Sequence, residues 1–268
     1  GDAPDTDEFR IRSEDPPDGF DVIADVVRAD RLREVVAFTG FTRLSAPDDL
    51  ATAELAPISR RAPDWVPAVE VRGEGIFVRF DENAVARWED RYRPSESYQR
   101  LQAAHRNWRA RRSYDDTNTG WPGARFVLLH TFSHLLMRQL ALDCGYAATS
   151  IRERIYSSAV GDPMAGVLLY TAAPDSEGTL GGLVSLASPE RLSRLLELGL
   201  EAAKICASDP TCAEHVAGAL GDDHLHGAAC HACLFASETS CERGNRYLDR
   251  STLVTTVAGS DTPFFAGW

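Results

Sequence analysis

The clearest hydrophobic pattern in this chain is helical. Leu128, Leu129, Phe132, Leu135, Leu136, Leu140 and Ala141 recur at spacings of three and four. Such spacing gathers side chains on one face, so a helix is predicted over 124–143, stopped by Gly145. Two more helices are predicted over 82–93 and 96–112, separated by Pro94. A fourth opens at Ser188-Pro-Glu and runs to about Ala207, with Leu192, Leu195, Leu196, Leu198 and Leu200 as its apolar set. Residues 148–157 suit a short helix capped by Thr149 or Ser150, because Glu153 follows Ser150 by three positions, as in a capping box. Extended structure is predicted over 31–44, with a bulge or turn at Gly40. Within 65–80, two apolar runs flank Arg-Gly-Glu-Gly and read as a strand pair, and Met164–Thr171 reads as a further strand. The first 20 residues are acidic and contain proline, which predicts a flexible lead-in, and 45–64 reads as a loop. A breaker cluster at Asp115–Gly123 divides an N-terminal strand-and-helix portion, 1–115, from a C-terminal domain, 116–258. The expected fold class is α+β, a mixed α/β arrangement.

Composition narrows the class of protein. With 268 residues, 44% hydrophobic and 25% charged, the chain can bury a substantial core. Its longest apolar run, Phe126–Leu129, is far too short to span a bilayer, and the acidic start has no signal-peptide pattern. A cytoplasmic protein with no membrane partner is therefore expected, and the start reads as that of an excised piece. The net charge of −12 argues against phosphate binding over the whole surface. The basic residues are uneven, however: Arg87, Arg91, Arg93, Arg100, Arg106, Arg109, Arg111 and Arg112 fall within 26 residues. Arg106, Arg109, Arg111 and Arg112 are the candidate DNA contacts; the alternative is a solvated helical face paired with Glu89, Asp90 and Glu96.

Cysteine placement carries the chemistry. Five of the six cysteines, Cys206, Cys212, Cys230, Cys233 and Cys241, lie within 36 residues. Zinc takes about four soft ligands in a tetrahedron, and the Cys230-His-Ala-Cys233 knuckle delivers two thiolates to one point. Further ligands can arrive from elsewhere once the chain folds. A structural Zn2+ is thus expected to staple the C-terminal domain. A disulfide framework would need an oxidising compartment, and a thioredoxin-like motif would follow a strand and open a helix. Cys144, at the end of the apolar helix, reads as a small buried side chain.

Three other constellations stand out. His130 and His134 share a helical face, as in half a zincin motif, but Thr131 stands where that motif needs Glu. A buried, hydrogen-bonded pair is the plainer reading. Asp175-Ser-Glu177-Gly-Thr-Leu-Gly-Gly could cradle a phosphate, yet it lacks the Gly-Lys-Ser/Thr ending of a P-loop. His130, His134, Asp175 and Glu177 together form the possible polar site, and a phosphodiesterase-like hydrolase using His130, His134 and Glu177 is the enzymatic alternative. Asn245 and Asp249 read as fixing the exit from the knuckle.

The motifs Thr-Gly-Phe-Thr-Arg, Pro-Ala-Val-Glu-Val-Arg-Gly-Glu-Gly-Ile-Phe, His-Thr-Phe-Ser-His-Leu-Leu, Asp-Ser-Glu-Gly-Thr-Leu-Gly-Gly-Leu and Cys-His-Ala-Cys through Arg-Tyr-Leu-Asp-Arg occur in that order. Over residues 30 to 255 they resemble the C-terminal half of the DrmB family of the DISARM anti-phage defence system. That segment is similar to the zinc-binding domain attached to MrfA-type DNA-repair helicases. The resemblance implies a DNA-defence component that works with a DrmA-like helicase subunit and holds a four-cysteine zinc. By the helicase pattern the ligands are Cys230, Cys233, Cys241 and either Cys206 or Cys212. Cys212 is preferred, since Asp209-Pro210 makes a tight turn that presents it. Neither a Walker A sequence nor an acidic Walker B box is present, so ATP hydrolysis is not expected. The leading expectation is a non-catalytic subunit segment that supports DNA engagement by a helicase; a pure interaction scaffold is the third reading.

Overall fold

The helices form close to where the apolar spacing places them: α1 (Glu82–Tyr92), α2 (Glu96–Arg111), α3 (Gly123–Cys144) and α4 (Pro189–Ala203). Local chemistry sets their ends. The Asp81 carboxylate accepts from the Ala84 amide to open α1, and Ser95 Oγ accepts from the Tyr98 amide to open α2. Gly145, at φ 67°, closes α3 in the left-handed conformation that glycine adopts without strain. This computed structural model describes residues 5–41, 56–61, 63–145, 149–171, 182–219, 224–260 and 262–268.

Five strands, β1 (Arg10–Glu14), β2 (Ile23–Ala37), β5 (Ala68–Phe80), β6 (Ile151–Tyr156) and β7 (Gly166–Thr171), form one sheet. Its order is β1-β2-β5-β7-β6, and every neighbouring pair is antiparallel. A separate two-stranded ribbon pairs β3 (Gly40–Phe41) with β4 (Ala56–Pro57). The remainder of the predicted 45–64 loop lies largely outside the described residues.

Three expectations are corrected. The lead-in is not wholly free, because β1 hydrogen-bonds along β2. The run through 65–80 is one strand rather than two: Arg72-Gly73-Glu74-Gly75 continues β5. Its glycines serve close approach, not a turn. A Cβ on Gly73 would lie 1.6 Å from the Thr171 carbonyl oxygen of β7. Gly73→Ala should therefore push two central strands apart and cost at least about 1–3 kcal/mol, the usual range for overpacking, read as a lower urea midpoint. Finally, 151–156 is a strand and not a capped helix. Ile151 and Glu153 point inward on alternate positions, so the Glu153 carboxylate serves distant partners and not its own backbone.

The Asp115–Gly123 breaker does not separate two cores. β5 and β7, from opposite sides of it, pair directly, and Phe80 packs edge-on against Phe132 at 4.8 Å. Trp88 donates to the Thr262 carbonyl at 2.7 Å. At the centre lies α3, with every residue from Ala124 to Met137 buried. A helix buried all round must satisfy each polar side chain internally. Arg125 does so through Glu89 at 2.9 Å, Glu82, and the Ser158 and Met164 carbonyls at 2.7 and 3.3 Å.

Candidate metal centres

The chain after α4 brings four cysteines to one point. Cys206 lies three residues beyond the end of α4. Cys212 sits in a 3-10 turn, Pro210–Glu214, that Asp209 opens by accepting from the Thr211 amide and hydroxyl. Cys230 and Cys233 form the knuckle: the amides of Cys233, Leu234 and Phe235 converge on the Cys230 carbonyl, and the Cys230 amide donates to Cys233 Sγ at 3.2 Å. The sulfurs of Cys206 and Cys230, of Cys212 and Cys233, and of Cys230 and Cys233 are each 3.7 Å apart. A regular tetrahedron of Zn–S bonds near 2.3 Å has edges of about 3.8 Å. The four thiols therefore fit zinc, and the five described cysteines outside α3 form no disulfide.

The electrostatics also suit a metal thiolate centre, which carries net negative charge. Arg250 is fully buried, bonds the Ala203 and Ala228 carbonyls, and sets a guanidinium nitrogen 3.5 Å from Cys212 Sγ. Burial pushes the Cys212 and Cys233 thiols up, and Arg250 opposes that shift at both. A metal would replace those protons.

Cys241 is not in this group, and both Cys206 and Cys212 are. The sequence expectation of Cys241 as a ligand beside the knuckle is thus corrected by the path of the chain after Phe235. Asn245 clamps that path with two bonds to the Ala236 backbone, each 2.9 Å. Asp249 accepts from the Ala228 and Ser251 amides. The loop so fixed carries Cys241 away to α3. There Cys241 Sγ lies 3.1 Å from His130 Nε2 and accepts from the Arg243 and Asn245 amides at 3.4 and 3.2 Å.

Glu153, from β6, completes this second cluster. Its Oε1 lies 3.1 Å from His130 Nε2 and 3.5 Å from His134 Nε2, and it accepts from the Glu242 amide at 3.0 Å. Its other oxygen accepts from Ser133. All four residues are buried, with their ligating atoms within 4.8 Å of one another. Burial works against a charged imidazole, but Glu153 and Cys241 override it and push His130 up to about 10. Burial likewise opposes the thiolate and carboxylate, yet His130 brings Cys241 down to about 6 and holds Glu153 well below the usual carboxylate range. Sequence reasoning missed Glu153. The signal was the alternation of Ile151, Glu153 and Ile155, with a carboxylate on an inward position. Asp175 and Glu177, proposed partners of the histidines, lie outside the described residues, as does the Cys144 side chain.

The candidate DNA-contacting arginines separate. Arg109 is buried, donates to the Asp116 carbonyl at 2.8 Å and lies over the Tyr114 ring, so it braces the end of α2 and cannot reach a phosphate. Arg106 is exposed and donates to Asn118 at 2.9 Å. Arg111 and Arg112 are exposed, and the Arg112 guanidinium sits 4.4 Å from the Trp108 ring centre. Arg246, which sequence reasoning did not single out, comes over the same ring at 5.2 Å.

With this geometry in place, comparison with known proteins is informative. Residues 132–234 match the MrfA Zn-binding domain, a span that contains all four clustered cysteines. The chain is 40% identical over 271 residues to the DISARM protein DrmB of Bacillus paralicheniformis, covering 97% of this chain and 46% of that protein. It thus spans about half the length of that relative. The resemblance read from the ordered motifs therefore holds along nearly the whole chain. Among solved structures, a crystal structure of the DUF1998 helicase MrfA bound to DNA covers 90% of this chain and 24% of its own, at TM-score 0.34 and 11% identity. A likeness that distant carries no inference.

Proposed function

From a chain that matches DISARM protein DrmB along nearly its whole length and contains an MrfA Zn-binding domain, we propose a zinc-stapled, non-catalytic segment of an anti-phage defence subunit. It supports DNA engagement by a partner helicase of the DrmA kind and works beside DNA in the bacterial cytoplasm. Among the described residues no helix is long and apolar enough to cross a membrane.

The observation that carries the DNA reading is the gathering of Arg112 and Arg246 over Trp108, with Arg111 exposed beside them. Two distant parts of the chain, the end of α2 and the loop after Cys241, build this cationic face together. On a chain of net charge −12 it offers local phosphate contact rather than general affinity. Trp108 is itself buried, so the contact is to backbone phosphate and not base stacking. The non-catalytic reading rests on the histidines. Both are buried and engaged with Glu153, so among the described residues neither ring is presented to a phosphodiester.

The test is a salt series of duplex binding by the helicase partner, with and without this chain. The Arg106→Ala, Arg111→Ala, Arg112→Ala, Arg246→Ala variant should weaken binding alike for all sequences. It should flatten the salt slope by about 0.9 per lost phosphate contact. An unchanged slope would assign the DNA contact to the helicase and leave this chain as a scaffold.

A further inference from the structure

We propose that His130, His134, Glu153 and Cys241 form a second, closed site for a divalent transition metal of the zinc type, separate from the four-cysteine centre. The proposal does not depend on the DNA reading.

The donor set is the first argument. Two imidazole nitrogens, a thiolate and a carboxylate from α3, β6 and the loop after the knuckle meet with their ligating atoms within 4.8 Å. Zinc accepts each of these donors. Bound as two neutral imidazoles, one thiolate and one carboxylate, a divalent ion makes the cluster neutral, which a fully buried site requires. The contacts of 3.1 Å and 3.5 Å about the two imidazoles are near the edges of about 3.3–3.6 Å that bonds of roughly 2.0–2.3 Å give in a tetrahedron.

The orientation of His134 is the second argument. Its Nδ1 lies 2.9 Å from the Leu234 carbonyl, which can only accept, so Nδ1 carries the proton. In the neutral ring Nε2 is then a bare lone pair. It is buried, makes no aligned hydrogen bond among the described residues, and faces a carboxylate oxygen 3.5 Å away. Two lone pairs facing each other in a dry interior repel unless a proton or a metal ion lies between them. A backbone carbonyl fixing the far nitrogen is also how metal-bound imidazoles are held. The rest of the surroundings fit the same pattern. Two amides donate to Cys241 Sγ, and Ser133 with the Glu242 amide holds the Glu153 carboxylate. With four protein ligands and no exposure, the ion has no open position, so the site is structural.

The unmodified full chain, purified without chelator and then supplemented with zinc and desalted, should hold two zinc ions. X-ray absorption at the zinc edge should show about five sulfur and three nitrogen or oxygen ligands shared by the two, following the two donor sets. Cys241→Ser and His134→Ala should each retain one ion in an all-sulfur environment. A single ion with four sulfur ligands in the unmodified chain would overturn the proposal and make this a cluster held by protons alone. That measurement needs no variant, so it stands even if the substitutions prevent folding.

Discussion

Cys230→Ala should remove one zinc ion and unfold the region between α4 and the C-terminal segment. The sulfur of Cys230 lies 3.7 Å from both Cys206 and Cys233, so its loss removes a whole corner of the tetrahedron. Structural zinc contributes roughly 10–16 kcal/mol of apparent binding free energy in small zinc domains. That rivals the whole stability of a typical domain, about 5–15 kcal/mol. Among its described residues, the segment from Cys206 to Phe235 has little regular structure to fall back on beyond short 3-10 turns and a knuckle. Cys206→Ala and Cys212→Ala should act the same way. Zinc content, melting temperature and limited proteolysis read the effect together, and a melting temperature unmoved by Cys230→Ala would remove zinc from the account of folding.

Arg125→Leu should cost about 3–5 kcal/mol in denaturant unfolding, the range for breaking a buried ion pair by removing one partner. Arg125 and Glu89 are both nearly inaccessible, at 4% and 5% side-chain exposure. Among the described residues, removing the guanidinium leaves the Glu89 carboxylate with only the Arg93 contact at 2.8 Å. It also strips donors from the Ser158 and Met164 carbonyls. The double variant Arg125→Leu, Glu89→Leu should recover much of the loss, because replacing both members removes the stranded charge. A double variant as unstable as the single would assign the cost to the carbonyls instead.

Helices were legible in the sequence because their information is local. The Leu128 to Ala141 spacing, Pro94 between α1 and α2, and Pro189 all act within a few residues. The sheet was less legible because its glycines and charges answer to distant neighbours. Gly73 looks like a turn residue until β7 is seen lying against it. Ser150 and Glu153 have the spacing of a capping box, yet Glu153 is held by His130, from a different element. The Cys230–Cys233 knuckle announced itself by spacing, and the neighbouring cysteines made zinc a sound expectation. Which cysteines join it is a question of chain path. Cys241 follows the knuckle by eight residues, but the Asn245 clamp turns it toward α3, while Cys206 and Cys212 return from before it. Conversely, Arg109 belonged to the basic cluster by sequence and to the interior by packing.

The burial of α3 on every side has a consequence for how the protein is made. Its covering comes from both directions: β5 and α1 are synthesised before it, but β6, β7, α4 and the loop bearing Cys241 come after. About 100 residues separate Met137 from Cys241, and at ~5–20 residues per second the ribosome needs about 5–20 s to add them. Throughout that interval the nascent chain carries a greasy helix whose histidines still lack the cysteine they will meet. The late arrival of Cys241 closes the interior.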